Sequence, residues 1–263
     1  MSFRPTQLIR TVLESLYGVY TLLAFVVLSL LTFVLVTVVP GLGIGSRRAI
    51  AHFMARAFFF VAAIRIRVIN EQDLPSGACV VVANHASYLD GVVLKAALPA
   101  RFSFVIKKEV SRVPVAGLLL RRIDAEFVDR FNRHAGAMDA RRLIKAASSG
   151  RALAFFPEGT FLPHPGVGKF HTGAFAIAAR AELAVVPLAI RGTRHILPSG
   201  RVLPRFGAIE IHVLPVLPDS GNADSAVVAL TRDRARARIL AALGEPDLID
   251  NDGVAALEVG RKI

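Results

Sequence analysis

Ala78-Cys79-Val80-Val81-Val82-Ala83-Asn84-His85-Ala86-Ser87-Tyr88-Leu89-Asp90 joins an apolar run to a cluster of polar, chemically able residues. The run Ala78 to Ala83 is short, rich in valine and closed by Asn84, which reads as a β-strand. A helical pattern opens near Ser87. In a regular helix five residues rotate about 500°, which would place His85 and Asp90 well apart, so His85 belongs in the strand-to-helix turn. Asp90, in the first helical turn, then reaches back to the imidazole. A carboxylate on one ring nitrogen fixes the tautomer and leaves the other nitrogen free to accept a proton, which makes a general-base dyad. Ser87-x-x-Asp90 is also a capping box, which stabilises a helix start without catalysis.

Outward from this stretch, short β-rich runs alternate with helical patterns. Strands are expected at Ile64 to Ile69, Ala78 to Ala83, Phe102 to Ile106, Glu126 to Asp129, Ala152 to Phe156, Ala184 to Ile190 and Ala208 to Leu214. Helices are expected to begin near Ser87, Pro114, Asn132, Thr172 and Ser225, the third ending at Gly150, a residue suited to the position after a helix. The alternation predicts an α/β fold, a layered sheet with flanking helices. Three regions are expected: membrane-anchoring helices over 1–63, the α/β domain over 64–244, and a polar tail over 245–263. The tail carries Asp247, Asp250 and Asp252 and reads as a frayed terminus.

Apolar residues make up 54% of the 263-residue chain, and they concentrate near its start. Val19 to Val39 carries no charge, and as a helix it would be about 31 Å long, matching a bilayer's hydrocarbon core. The run exceeds a signal-peptide core and ends in Pro40-Gly41-Leu42-Gly43 without a cleavage-like site. Ala49 to Ile64 contains His52 and Arg56 and is short for a full span, which predicts an interfacial or re-entrant helix. Basic residues flank both sides of the first helix, so charge alone does not orient it. The single cysteine, Cys79, excludes an internal disulfide and a multi-cysteine metal site.

Lys and Arg outnumber Asp and Glu by 32 to 20, and the formal charge of +12 favours anionic partners. There is no zinc-ligand set and no aromatic-rich basic strand, which argues against nucleic acid and leaves anionic lipid or phosphorylated substrates. The scattered histidines likewise predict no metal site.

A second constellation is Phe155-Phe156-Pro157-Glu158-Gly159-Thr160, an apolar strand running into a Pro-Glu-Gly turn. Strand ends of this kind are where α/β sheets place ligands. Its plain alternative is an ordinary turn, with Gly159 at positive φ and Thr160 capping the next segment. Further on, Lys169-Phe170-His171-Thr172-Gly173 sets a basic residue before a helix start, a plausible phosphate approach. Arg191-Gly192-Thr193-Arg194 follows an apolar strand, and its glycine would let backbone and guanidinium approach a phosphate. Solvated surface charge is the competing reading of those arginines.

Together these residues resemble the phospholipid and glycerol acyltransferase family, whose bacterial members include 1-acylglycerol-3-phosphate acyltransferases. Asn84 to Asp90 is similar to its Asn-His-x-x-x-x-Asp block and Phe156 to Thr160 to its Phe-Pro-Glu-Gly-Thr block. Phe127-Val128-Asp129-Arg130 resembles its middle block, and Val185-Val186-Pro187-Leu188 its last. Lys107-Lys108-Glu109 with Pro114 and Gly117 is similar to the segment between the first two. The resemblance covers about Val68 to Leu214. It implies O-acyl transfer from an acyl thioester to a lysophospholipid hydroxyl, most often that of 1-acylglycerol-3-phosphate. His85 is then the base and Asp90 its partner. Glu158, Gly159 and Thr160 shape the site, while Arg130 and Lys169 hold the acceptor phosphate, with Arg191 and Arg194 as further candidates. Acyl-CoA or acyl carrier protein is the implied donor, and no cofactor is needed. Membrane lipids surround the anchor. The donor's location in that family implies the cytoplasmic membrane, with the catalytic domain on its cytoplasmic side.

Two positions depart from the pattern. Asp124 stands where a glycine is usual, and Phe161-Leu162 replaces Arg-Ser after Glu-Gly-Thr. The second departure removes an expected phosphate ligand and keeps a different acceptor, such as a lyso-aminolipid, in view. A non-enzymatic basic membrane-anchored binding protein is the distant alternative, and it leaves the ordered blocks unexplained.

Overall fold

In the computed structural model, the described residues are 5–129, 133–161, 163–219 and 221–249. Seven strands form one sheet: β1 (Arg65–Ile69), β2 (Val80–Ala83), β3 (Ser103–Lys107), β4 (Glu126–Val128), β5 (Leu153–Phe155), β6 (Val185–Arg191) and β7 (Ala208–Val213). The helices are α1 (Pro5–Val38), α2 (Ile44–Val61), α3 (Asp90–Ala97), α4 (Ala116–Arg122), α5 (Arg133–Ser148), α6 (Gly173–Arg180), α7 (Thr193–Ile196) and α8 (Ser225–Leu243). All seven expected strands form. The short α7 was not foreseen, because four residues are too few to show a period.

The sheet order is β1-β7-β6-β2-β5-β3-β4, with every neighbouring pair parallel except β6 and β7. β2 lies between β5 and β6, in register Val82 with Phe155 and with Pro187. Parallel pairing therefore brings the carboxyl ends of β2, β5 and β6 to one edge, which is where ligands bind in such sheets.

β2 is buried on both faces, which is why it reads as a continuous apolar run. Val81 and Ala83 face the core built with α2 and α3; Val80 and Val82 face the core built with α5, α6 and α8. Cys79 is fully buried, and burial pushes its thiol up to about 11, so it packs as a small apolar residue.

α1 contains the one helix segment among the described residues long and apolar enough to cross a membrane, Ile9–Val38. It does not stand away from the domain. Tyr17 and Tyr20 donate their hydroxyls to Ala62 O and Val61 O at 2.8 and 3.0 Å. Gly18 lies against Leu203, Phe25 meets Phe58 edge-on at 5.3 Å, and Val36 is buried with Ile123. Its other side exposes a row of large apolar residues, among them Leu16, Leu23, Val27 and Val38.

α2 is one unbroken helix that starts at Ile44, earlier than the expected Ala49. Phe58 and Phe59 enter the sheet core, while Phe53 and Phe60 are exposed. Arg48 is buried and fastens α2 to the sheet's far side: it donates to Ile123 O at 3.2 Å, Arg101 O at 3.1 Å and the Asp124 carboxylate at 2.6 Å, and also bonds Ser103 Oγ. Asp124 sits at φ 60°, a left-handed conformation that explains a glycine preference and that aspartate tolerates better than most residues. Its carboxylate also pairs with Arg151 at 3.0 Å. The departure from glycine thus adds an anchor for α2.

The start of the expected polar tail is not frayed. Residues 245–248 pack on the loop after β5, with Val167 N donating to Pro246 O at 3.1 Å and Leu248 N to Val167 O at 3.2 Å. Asp250 and Asp252 lie outside the described residues.

Candidate active site

The turn after β2 carries His85, and α3 opens at Asp90. Two clamps hold this turn. Asn84, buried at the strand end, exchanges both amide bonds with Ile190, donating to its carbonyl at 3.0 Å and accepting from its N–H at 2.7 Å. Ser87 donates its hydroxyl to Leu197 O at 2.7 Å and accepts from Leu89 N at 3.1 Å. Asn84 thereby locks β2 to β6, and Ser87 locks the turn to the segment after α7.

His85 Nδ1 lies 2.8 Å from Asp90 Oδ2. The same oxygen accepts from Ala86 N at 2.6 Å and Ser87 N at 2.8 Å, with Asp90 fully buried. The expected capping box does not close: α3 follows Leu89 without a side-chain cap and Ser87 Oγ is committed to Leu197 O and Leu89 N, so the Asp90 carboxylate braces the turn backbone and the imidazole together. Three partners on one buried oxygen keep it aimed. A carboxylate on Nδ1 selects the tautomer with hydrogen there and makes Nε2 the proton acceptor. The imidazole stacks on Phe156, with centroids 4.4 Å apart, and meets Phe161 edge-on at 4.8 Å. Tyr88 also meets Phe161 edge-on, at 4.7 Å.

Glu158 joins the two constellations. Its Oε1 accepts from His85 N at 2.7 Å and its Oε2 from Gly168 N at 2.9 Å. Burial raises its carboxyl above the ordinary range, while the His85 and Gly168 amides act against that shift. Because the His85 N–H is spent on Glu158, it is not a donor to a developing oxyanion. Gly159 has φ 78° and donates to Phe156 O at 3.1 Å, closing the turn as its position suggested. Thr160 is exposed at the same turn.

The expected cations divide. Lys169 is exposed beside Gly168, on the loop that Glu158 holds. Arg191 donates to Leu243 O at 3.1 Å and also bonds Ala242 O, capping the end of α8. Arg194 donates to His164 O at 2.7 Å and pairs with Glu245 at 3.2 Å. Both arginines are engaged with the protein itself. Gly192 owes its place to packing, since a Cβ there would meet Ala208 O at 2.1 Å. Arg130 and Leu162 lie outside the described residues.

Beyond Phe156 an open, mainly apolar cavity of about 310 Å³ runs between α5 and α6, with Val105, Leu143, Phe155 and Ile177 in its wall. Among the described residues, no three of His, Cys, Asp and Glu stand together as metal ligands. Phe161 against His85, and Arg236 behind Gly168, were not anticipated; neither lies in a local pattern that sequence spacing reveals.

A sequence profile described as Acyltransferase matches residues 65–191, which include His85, Asp90 and Glu158. The chloroplastic 1-acyl-sn-glycerol-3-phosphate acyltransferase LPAT1 of Arabidopsis thaliana is 30% identical over 159 residues, 59% of this chain and 44% of the relative. A 1-acyl-sn-glycerol-3-phosphate acyltransferase of Chlamydomonas reinhardtii is 29% identical over 209 residues, 77% of this chain and 61% of the relative. This chain thus spans roughly half the length of such curated relatives, from 44% to 61% in these two. The crystal structure of the 1-acyl-sn-glycerophosphate acyltransferase PlsC from Thermotoga maritima shares the fold, with a TM-score of 0.65 over 88% of this chain and 95% of that one at 21% identity. The sequence profile over residues 65–191, the relatives and the shared fold agree in likening this chain to acyltransferases.

Proposed function

We propose that the protein transfers a fatty acyl group from an acyl thioester to the hydroxyl of a lysophospholipid, with 1-acylglycerol-3-phosphate as acceptor and phosphatidic acid as product. The carrying observation is the 2.8 Å contact of His85 Nδ1 with a buried Asp90. His85 Nε2 removes the proton from the acceptor hydroxyl as its oxygen attacks the thioester carbonyl, and the carbon–sulfur bond then breaks to release the thiol carrier. Asp90 holds the ring and stabilises the imidazolium. Glu158, Gly159 and Thr160 shape the turn beneath the reacting groups. Arg130 and Lys169 hold the acceptor phosphate, while Arg191 and Arg194 brace the surrounding frame. The names of the relatives support this acceptor.

The donor is acyl-CoA or acyl carrier protein. The exposed apolar side of α1 supports a place in a membrane. The location of the thioester donor in the resembled family puts residues 64–244 on the cytoplasmic side of the cytoplasmic membrane, and protease added outside intact cells should then spare the domain. Incubating membranes with acyl-CoA or acyl carrier protein and a panel of lysolipids, with His85→Ala as control, tests class, donor and acceptor together. Transfer that survives His85→Ala would refute the mechanism.

One observation favours a second acceptor. Phe161 occupies the place of the usual arginine and packs on the His85 ring, so a lysolipid without a phosphate monoester, such as a lyso-aminolipid, fits an aromatic wall. Under the first reading Phe161→Arg leaves the KM for 1-acylglycerol-3-phosphate unchanged or lower. Activity confined to lysolipids lacking that monoester supports the second.

A further inference from the structure

The hydrogen bonds around His85 continue past Glu158 into the carboxyl end of the described chain. Glu158 Oε2 accepts from Gly168 N at 2.9 Å. That N–H belongs to the Val167–Gly168 peptide unit, which is planar and trans, so its carbonyl points the opposite way. On that side Arg236 Nη2 donates to Val167 O at 2.7 Å, and Arg236 Nε donates to Gly168 O at 2.9 Å. Arg236, on α8, is only 8% exposed. Two further donors bind the Asp247 carboxylate at 2.8 and 2.6 Å, so four of the guanidinium's five N–H groups are in use.

Asp247 also accepts from Ile249 N at 2.9 Å, and the segment that carries it is held in turn. Glu245 Oε2 accepts from Gly166 N at 2.7 Å and pairs with Arg194. The Leu248 side chain fills the space that a Cβ on Gly166 would need, at 2.5 Å. Residues 245–248 thus lie as a strap over the loop whose Gly168 amide holds Glu158.

Arg236 is buried and Asp247 partly exposed, and such a pair contributes little net stability, because desolvating the charges offsets their attraction. What this pair does supply is direction. With the Val167 carbonyl fixed, the peptide plane cannot rotate, and the Gly168 N–H stays aimed at Glu158. Glu158 in turn fixes the backbone of the residue that carries the base.

We propose that Arg236 and Asp247 are positioning residues for acyl transfer, acting through the Val167–Gly168 peptide and Glu158 on His85. The proposal rests on the acyltransferase reading given above. Neither residue touches substrate, so loss of either should lower kcat and leave KM for both substrates alone. Misplacement of a reacting group by a fraction of an ångström costs roughly tenfold to a hundredfold in rate.

The test measures kcat, KM and melting temperature for Arg236→Met, Asp247→Asn and Glu158→Gln, and for each of the first two combined with the third, in detergent-solubilised full chain. The substrates are a long-chain acyl-CoA or acyl carrier protein and the lysolipid that the wild type accepts. Expected is a kcat loss of about tenfold or more per folded molecule in each single variant, with KM within about twofold. Expected too is no further loss from Arg236→Met or Asp247→Asn once Glu158 is Gln, because the relay is already cut. Losses that multiply in the double variants, or a change in melting temperature alone, would overturn the proposal. Should Arg236→Met fail to fold, Asp247→Asn carries the test, since it keeps the shape and removes only the charge. Wild-type chain inert toward every lysolipid sinks the acyltransferase reading and this proposal together; an active wild type with unaffected variants sinks this proposal alone.

Discussion

Asp90 and Asp124 each gather several hydrogen bonds, but from donors of different kinds. Asp90 takes an imidazole and two backbone amides at the carboxyl end of β2. Asp124 takes two guanidinium groups, Arg48 and Arg151, at the opposite flank of the sheet. Arginine does not release its proton in a protein, whereas imidazole gains and loses one near neutrality. The first cluster is therefore able to move a proton and the second is only able to hold. Asp90 is fully buried and Asp124 partly exposed, but what decides the role of each is the proton affinity of its partner.

The sharpest way to break this contrast is at its reactive end. His85→Ala should lower kcat on the order of 10³-fold or more while the melting temperature stays near wild type, since Asp90 keeps its two amide donors. Asp90→Asn should cost about 10²-fold in kcat through a misaimed ring, read by steady-state kinetics on protein shown to be folded. A role in helix capping alone would give the reverse, a loss of about 0.5 to 2 kcal/mol in stability with normal turnover.

Asp124→Asn should invert the pattern. Arg48 stays buried with weaker partners, so stability should fall by about 1 to 3 kcal/mol by denaturant titration, with kcat of the folded fraction unchanged. A kcat loss without a stability loss would show that the α2 anchor also bears on the reaction.

The smallest effect concerns Lys95, in the last turn of α3, whose ammonium lies 5.7 Å from the Phe104 ring centre. Burial, with Arg48 as a second cause, lowers its pKa from 10.5 to about 8. The unfolded chain then binds more protons than the folded one between those values, so this contribution to stability is complete above pH 10.5 and is lost as pH falls through about 8. Lys95→Met should flatten the rise of stability with pH across that window, measured by melting at fixed ionic strength. An unaltered slope would remove Lys95 from the account.

The dyad was legible because it is local: a strand, a turn and a helix start fit within thirteen residues, Ala78 to Asp90, and chain stereochemistry alone brings His85 to Asp90. The strands were legible for the same reason. What escaped depends on contacts made across the fold. The pairing of β6 with β7 is antiparallel, and neither strand's pattern carries its direction. Gly168 and Arg236 are joined only when α8 packs over the β5 loop, and Asp247 looked like one of several acids in a polar tail. Arg191 and Arg194 showed the right chemistry for a phosphate, but the sequence did not show that α8 and Glu245 would occupy them.

The side-on docking of α1 sets a constraint on how substrate is met. Contacts at Gly18 with Leu203 and at Val36 with Ile123 fasten the helix near both ends of the stretch expected to lie in lipid. With α1 in a bilayer, as proposed, the domain cannot swing on a tether, and the height of His85 relative to the lipid surface is fixed. An enzyme so mounted samples its acceptor in two dimensions. Its turnover should follow the mole fraction of lysolipid in the surface, and diluting that surface with inert lipid should slow it even when the bulk concentration of acceptor is held constant.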